Sequence, residues 1–351
     1  MNIKEIVAAA QSLAASDIHL VAGLPAKCRI DGEIKTLFPK ILSPCDTEGF
    51  AKELLGEEYG KIETIGECDL AMTFAFGERT ARTRINVFRQ QGSVSLAIRI
   101  LSDRIPQMEE LGLPPIASRL PHYKSGIVLV TGETGSGKST TLASVIDSIN
   151  HSRCAHIITI ENPIEYIYTP DKCVINQREI GQDTKSYQDA LRAILREDPD
   201  VILIGEMRDA ETIDIALTAA ETGHLVFATL HTNSAADSID RIVNSFPEGR
   251  QRQIRMQLST TLRCVISQAL LPKSSGKGRV IACEVMVVNN AIANLIREGK
   301  TPQISNAIAT GSQDGSILMD GALKQLLRDK KITRETAMAN ASDSESFMYL
   351  R

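Results

Sequence analysis

The run Gly132-Glu133-Thr134-Gly135-Ser136-Gly137-Lys138-Ser139 meets the pattern G-x-x-x-x-G-K-[ST]. Glycines at this spacing let successive backbone N–H groups turn inward around phosphate oxygens. A helix starting at the loop adds the partial positive charge of its N-terminus where the anion sits. Lys138 is placed to reach the β- and γ-phosphates of a nucleoside triphosphate, and the Ser139 hydroxyl to ligate Mg²⁺. The flanks agree: residues 127–131 read as a buried strand, and Leu142, Val145, Ile146 and Ile149 recur at helical spacing within 139–150. Gly132, Thr134, Gly135, Ser136, Gly137, Lys138, Ser139 and Thr140 are therefore the expected phosphate-binding set.

Three further segments carry acids and histidines at strand ends. Val201–Ile204 is apolar and is followed by Gly205-Glu206. In many nucleoside triphosphatases such a strand ends in an acid that holds the Mg²⁺ shell. Here Gly205 stands at that position and Glu206 follows, so Glu206 is expected to orient and deprotonate an attacking water. Ile160-Glu161-Asn162-Pro163-Ile164-Glu165 sets Glu161 and Glu165 at a proline-stiffened turn. A carboxylate there can act on Mg²⁺ through its outer shell, although a plain polar turn has the same composition. Ser139, Glu161 and Glu206 are the expected metal contacts. Residues 222–233 frame a strand with His224 before it and His231 after it. That spacing across a strand does not converge two metal ligands. His231, at the carboxyl end, is suited to report phosphate state because it donates hydrogen bonds and titrates near neutrality.

Several arginines are spaced to share a face. Arg82 and Arg84 lie two apart on a strand, and Arg99 ends another short strand. Arg192 and Arg196 lie four apart, which on a helix puts them on one side. Such residues are ordinary surface groups in most chains; in an oligomeric ATPase some stabilise transition-state charge from a neighbouring subunit.

Positioning these groups requires two domains, the natural expectation for 351 residues. Residues 1–100 read as α+β: a helix over 3–15, strands over 18–21, 27–30 and 82–88, and a hairpin turn at Asp31-Gly32. Residues 101–115, with Ser102-Asp103-Arg104, Pro106, Pro114 and Pro115, read as a connection. From 116 to 351 strands and helices alternate, with strands over 127–131, 156–160, Val201–Ile204, Leu225–Leu230 and 280–286. That is an α/β domain with a mainly parallel sheet, whose ligands bind at strand carboxyl ends. Residues 273–278 look like a short flexible loop, and the tail after Ile332 carries no pattern.

Composition narrows the function classes. Net charge is −4, aromatics are 4% and there is no Trp, so neither a basic stripe nor a base-stacking platform supports nucleic-acid binding. The 7 cysteines are scattered without C-x-x-C, which gives no disulfide framework and no structural zinc site. The N-terminus lacks the layout of a signal peptide, no apolar run is of membrane-spanning length, and no Asn-Lys-x-Asp guanine-reading motif occurs.

In their order these motifs resemble the secretion ATPase superfamily, the hexameric motors of type II and type IV secretion and of type IV pili. The resemblance runs from Ser16-Asp17-Ile18-His19-Leu20 through Leu111-Gly112-Leu113-Pro114-Pro115, the phosphate loop, the acidic segment at Glu161, Gly205-Glu206-Met207-Arg208-Asp209 and the histidine segment. Residues 291–300 resemble the signature of pilus retraction ATPases of the PilT type, and the chain lacks the four-cysteine insertion usual in assembly and type II secretion ATPases.

The resemblance implies a PAS-like α+β N-terminal domain and a RecA-like P-loop ATPase domain that form a homohexamer. It implies ATP and Mg²⁺ as substrate and cofactor, and a cytoplasmic motor working against an inner-membrane platform protein beside paralogous pilus ATPases. It assigns the catalytic glutamate to Glu206, the acidic residue near metal and water to Glu161, and the γ-phosphate contact to His231. The N-domain arginines that reach nucleotide fall on Arg84 and Arg99, and a further arginine pair on Arg192 and Arg196. Three positions depart from the pattern: Asn162 replaces an aspartate, Glu133 a proline and Ala293 an arginine. These departures leave open a regulatory ring subunit with little hydrolysis, and an assembly or secretion ATPase is the other alternative.

Overall fold

The computed structural model describes residues 2–30, 32–77, 79–101 and 104–348. Asp31, Ser102 and Asp103, used above for a turn and a connection, lie outside the described residues. The chain divides into two units, Met1–Arg104 with Pro163–Ile167, and Ile105–Asn162 with Tyr168–Arg351.

Alternating burial builds the first unit. Its strands are β1 (Asp17–Leu20), β2 (Pro25–Ile30), β3 (Glu33–Ile41), β4 (Glu67–Phe76), β5 (Arg79–Gln90) and β6 (Ser93–Ile100). They form a sheet of order β3-β2-β1-β6-β5-β4 in which every neighbouring pair is antiparallel. In β5, Ala81, Thr83, Ile85 and Val87 are buried, while Arg82, Arg84 and Asn86 occupy the other face, as a period of two requires. Helices α1 (Ile3–Ser12), α2 (Pro44–Leu55) and α3 (Gly60–Thr64) supply Ile6, Val7, Phe50, Leu54 and Ile62 to its core. Helix α1 begins with an Asn2–Glu5 capping box and stops earlier than the expected residue 15. Ala14 is in the left-handed region (φ 53) and the Ala15 N–H turns back to Ala10 O. The structure adds β3, β4 and α2, whose apolar positions are too interrupted to stand out.

The second unit is built on continuous apolar runs. Its strands are β7 (Gly126–Thr131), β8 (His156–Glu161), β9 (Val174–Glu179), β10 (Val201–Ile204), β11 (Leu225–Leu230), β12 (Leu262–Pro272) and β13 (Arg279–Val287). The order is β13-β12-β7-β11-β10-β8-β9, parallel throughout except for the antiparallel β12–β13 pair. Every residue of β7, β10 and β11 is buried, the mark of central parallel strands covered on both faces. Helices α4 (Lys138–Ser152), α5 (Tyr187–Ile194), α6 (Ala210–Glu221), α7 (Ala235–Asn244), α8 (Glu248–Thr261), α9 (Asn290–Glu298), α10 (Ile304–Thr310), α11 (Met319–Arg328) and α12 (Arg334–Asn340) complete it. Ile127 and Leu129 of β7 join one core with residues of α5 to α10, while Val128 and Val130 are equally buried on the opposite face.

Two strands were not legible beforehand. β9 is a polar edge strand, and β12 follows α8 without an intervening turn, which hides the change of period. The segment 273–278 closes the β12–β13 hairpin and is tied down, since the Ser274 N–H donates to Lys331 O at 2.9 Å. The patternless tail is anchored as well: Phe347 is fully buried with Leu271, Ala282, Leu323, Ile332 and Ala337. Truncating Phe347 to alanine empties that pocket, and we expect Phe347→Ala to lower unfolding free energy by about 3–5 kcal/mol in chemical denaturation.

Candidate functional site

The phosphate loop leaves the carboxyl end of β7 in a path only glycine permits. Gly132 has φ 138, and a Cβ there would lie 2.3 Å from Gln268 O and 2.7 Å from Ser136 Oγ. Gly137 stands in the left-handed region (φ 93) as the N-cap of α4, and the Thr141 N–H reaches its carbonyl at 3.0 Å. Lys138 is 9% exposed and its Nζ donates to Gly132 O and Glu133 O, both at 2.8 Å. The ammonium thus holds the loop's own curve. Ser136 Oγ is buried without a hydrogen-bond partner. A hydroxyl left so is costly unless an acceptor arrives, and its place inside the loop suits a phosphate oxygen. Thr134, Gly135 and Ser139 are exposed and Thr140 half-buried. The loop walls a cavity of about 440 Å³ together with Asn233, Ser234, Leu270, Arg279 and Glu284.

Glu206 lies beyond the end of β10. Gly205 is pinned by its N–H to Ile160 O (2.8 Å) and by Thr229 Oγ1, which donates to its carbonyl; the Met207 N–H then reaches Thr229 O at 3.1 Å. A Cβ on Gly205 would meet the Tyr187 hydroxyl at 3.0 Å, Ile160 O at 3.2 Å and Glu161 Cα at 3.4 Å. This crowding explains why the expected acid is absent at 205 and the carboxylate comes one residue later. Glu206 is 19% exposed and meets two partners, Arg208 at 2.8 Å and His231 Nε2 at 3.2 Å. Burial pushes its carboxyl up, but the Arg208 hydrogen bond and the charge of His231 outweigh that and hold it below the ordinary glutamate value. Burial, Glu206 and Glu161 together push the Tyr187 phenol up, which places all three in one electrostatic neighbourhood. Arg208 and Tyr187 are the partners the motif reading did not assign; Arg208 lay two residues from Glu206, whereas nothing in the chain pattern marked Tyr187.

Glu161 closes β8, where Thr159 Oγ1 donates to its Oε1 at 2.7 Å and Gln177 at 3.4 Å. His231 follows β11 directly, while His224 at the opposite end is engaged with Ala219 O at 2.9 Å. The second unit therefore brings the phosphate loop, Glu161, Glu206 and His231 to the carboxyl ends of its strands. Arg84 and Arg99 are cross-strand partners in the first unit and share a polar cavity of about 370 Å³ with Asp17, His19, Asp69 and Asn86. Arg99 is paired with Asp17 at 2.9 Å. Arg82 instead donates to Ile164 O at 3.2 Å, tying down the segment Pro163–Ile167. The expected helix face with Arg192 and Arg196 does not form. Helix α5 ends at Ile194 and cannot resume before Pro199, since Asp198 is in the left-handed region (φ 54) and a residue before proline disfavours helical backbone. Arg192 pairs with Glu211, and Arg196 sits in the turn beyond the helix.

The model of the family "Type II/IV secretion system protein" matches residues 2–337. The chain is 44% identical to the type IV pilus retraction ATPase PilT of Pseudomonas aeruginosa over 348 residues, 99% of this chain and 100% of that one. It is 46% identical over 307 residues to a twitching motility protein of Neisseria gonorrhoeae, covering 85% and 82% of the two chains. A crystal structure of the pilus retraction motor PilT with bound ADP superposes with a TM-score of 0.91 at 50% identity, covering 99% of this chain and 98% of that one.

Two outcomes follow from the Glu206 environment. Its carboxyl is depressed in the fold, so its ionisation stabilises the protein above the unfolded glutamate value, and that contribution is lost as pH falls through the folded value. Arg208→Ala removes the main lowering contact and leaves the burial, so carbon-13 NMR should show the Glu206 titration midpoint moving up. Gly205→Ala should cost about 1–3 kcal/mol by overpacking against Ile160 and Tyr187, measurable as a lowered unfolding midpoint.

Proposed function

This chain belongs to the type II/IV secretion system protein family, and from that premise we propose that it is the ATP-hydrolysing motor of type IV pilus retraction. The observation that carries the reading is the meeting of Lys138, Glu161, Glu206 and His231 at the carboxyl ends of one sheet, in a chain alike from end to end to a retraction motor. The family and the ADP-bound relative make a nucleotide the ligand.

Bound ATP places its phosphates in the loop of Gly132 to Thr140, held by backbone N–H groups and Lys138. The donor set also fits Mg²⁺. No cluster of three or more His, Cys, Asp or Glu able to hold a metal occurs among the described residues, and Mg²⁺ asks for little more than a hydroxyl, one or two carboxylates, waters and the phosphates themselves. Ser139, Glu161 and Glu206 would hold it, and when bound it offsets charge on the β- and γ-oxygens. Glu206, kept ionised by Arg208, takes a proton from the attacking water as its oxygen bonds to the γ-phosphorus and the bond to the ADP oxygen breaks. His231, hydrogen-bonded to Glu206, donates to the γ-phosphate and so links base and substrate. Arg84, Arg99, Arg192 and Arg196 are the candidates for offsetting transition-state charge, which in a ring can be supplied from a neighbouring subunit.

We place the protein in a homohexameric ring on the cytoplasmic side of the inner membrane, against the pilus platform protein and alongside paralogous pilus ATPases. No helix among the described residues is long and apolar enough to cross a membrane, so contact with the membrane machine would run through that partner. Differential contact with ATP and ADP supplies the free energy for closing and opening, because only ATP presents a γ-phosphate.

Steady-state hydrolysis tests the reading. Lys138→Ala and Glu206→Ala should each lower turnover by about 10²–10⁴-fold, and the Glu206 variant should still bind ATP. Normal turnover by the Glu206 variant would remove its assigned role.

A further inference from the structure

Two buried acids among the described residues stand outside the mechanism above, Glu179 and Glu284. Glu284, in the middle of β13, is 7% exposed. Its Oε1 accepts the Ala235 N–H at 2.8 Å and its Oε2 accepts the Met319 N–H at 3.4 Å. Both donors are the first residues of helices, Ala235 of α7 and Met319 of α11. Helix starts carry N–H groups that no residue of the helix itself can satisfy, and they favour negative charge. Ser234 caps α7 by accepting from the Asp237 N–H, but Leu318 gives α11 no side-chain cap, so Glu284 supplies one from another strand. An acid at this depth is costly unless its oxygens are used. Burial pushes the carboxyl up, the two amides pull it back, and Asp237 and Asp320 push it up again.

The position ties this clamp to the nucleotide site. Glu284 is the cross-strand partner of Ser267 on β12, and Ser267 Oγ lies 2.8 Å from Thr131 Oγ1, at the end of β7 where the phosphate loop begins. Ala235 follows His231 by four residues, and Asn233 and Ser234 face the same cavity as Glu133 to Ser136, Arg279 and Glu284. Helix α11 carries Leu323 into the core that holds α12 and Phe347.

We propose that Glu284 is a positioning residue whose carboxylate clamps the start of α7, and with it the His231–Ser234 segment, to the start of α11, so that nucleotide state is passed to the C-terminal helices. The clamp is read from geometry alone; that it serves a hydrolysing motor rests on the function proposed above. Coupling of this kind requires an element both sites bias, and here that element is the pair of helix starts sharing one carboxylate.

The test is amide exchange on the full chain, with and without a non-hydrolysable ATP analogue, together with steady-state kinetics. In the wild type the analogue should slow exchange in 235–239 and in 319–323. Glu284→Gln keeps the shape and one acceptor oxygen but loses the second and the charge. In it the 319–323 segment should exchange roughly tenfold faster and lose its response to the analogue, while α4 is unchanged. Its kcat, counted per ATP-binding site titrated with the analogue, should fall at least about fivefold with the KM for ATP within about twofold, a loss that a smaller folded fraction would not produce. Should that variant fold poorly, Met319→Pro removes the second donor at a helix position where proline is favoured, after a residue already in extended backbone, and is read beside Met319→Ala, which trims the same side chain from the Phe347 core but keeps the donor and should keep the response. The proline variant should uncouple 319–323 and leave the 235–239 response intact.

A response of both segments in Glu284→Gln or Met319→Pro, or of neither in the wild type, would overturn the clamp. A wild type that responds in both segments yet does not hydrolyse ATP would overturn the motor and leave the clamp standing.

Discussion

The site depends on the in-register alignment of four buried parallel strands. Ile160 of β8 pairs with Ile204 of β10, Ile204 with Ala228 of β11, and Leu230 with Thr131 of β7. All four strands therefore run out along one edge, and the residues that follow them are close without being neighbours in sequence. A one-residue slip would turn every side chain to the other face. Full burial of β7, β10 and β11 opposes such a slip, since it would set each apolar residue against a different neighbour. Gly205 tightens the alignment further, because its N–H and C=O are both bound to adjacent strands and no side chain fits between them.

Within that frame the electrostatics of Glu206 are a balance. Partial burial alone would favour the neutral acid, which could not take a proton. Arg208 and His231 reverse this and keep the group ionised. Arg208 is largely exposed, so it neutralises the carboxylate without itself being desolvated, and the cost of a fully buried pair is avoided. His231 is the more informative partner, because it stands at the end of β11 and joins the acid to the strand beside the phosphate loop.

How much of this was legible follows from where the information resides. The loop and the central strands declare themselves because glycine backbone and continuous burial leave local marks. Glu206 and His231 were placed correctly at strand ends because both follow runs that can only be buried strands. What stayed hidden is non-local. The Tyr187 hydroxyl reaches Gly205 from a different helix, and no spacing encodes that contact. The expected helix face shared by Arg192 and Arg196 did not form because four-residue spacing presupposes a helix, and α5 stops at Ile194, ahead of Asp198-Pro199. Phe347 and Glu284 were invisible for a related reason: each acts by joining segments distant in the chain, and each looks ordinary among its sequence neighbours.

The three departures from the family pattern can now be weighed by what each position does. Residue 133 serves the loop through its carbonyl, which accepts from Lys138; proline and glutamate present that carbonyl alike, so the exchange adds a charge at the cavity wall but keeps the anchor. Asn162 is exposed just past β8, one residue beyond the acid that Thr159 and Gln177 hold in place. The change there removes a charge near the site and leaves the Thr159 and Gln177 contacts of Glu161 in place. Ala293 lies on α9, which Ile292 and Ile296 bury against the core, and it is itself only partly covered. Alanine there alters what the helix offers to another molecule and leaves its packing in place. The side chains at these positions thus anchor none of the hydrolytic residues: Glu133 and Asn162 alter charge near the loop and the acid, and only Ala293 alters a helix surface.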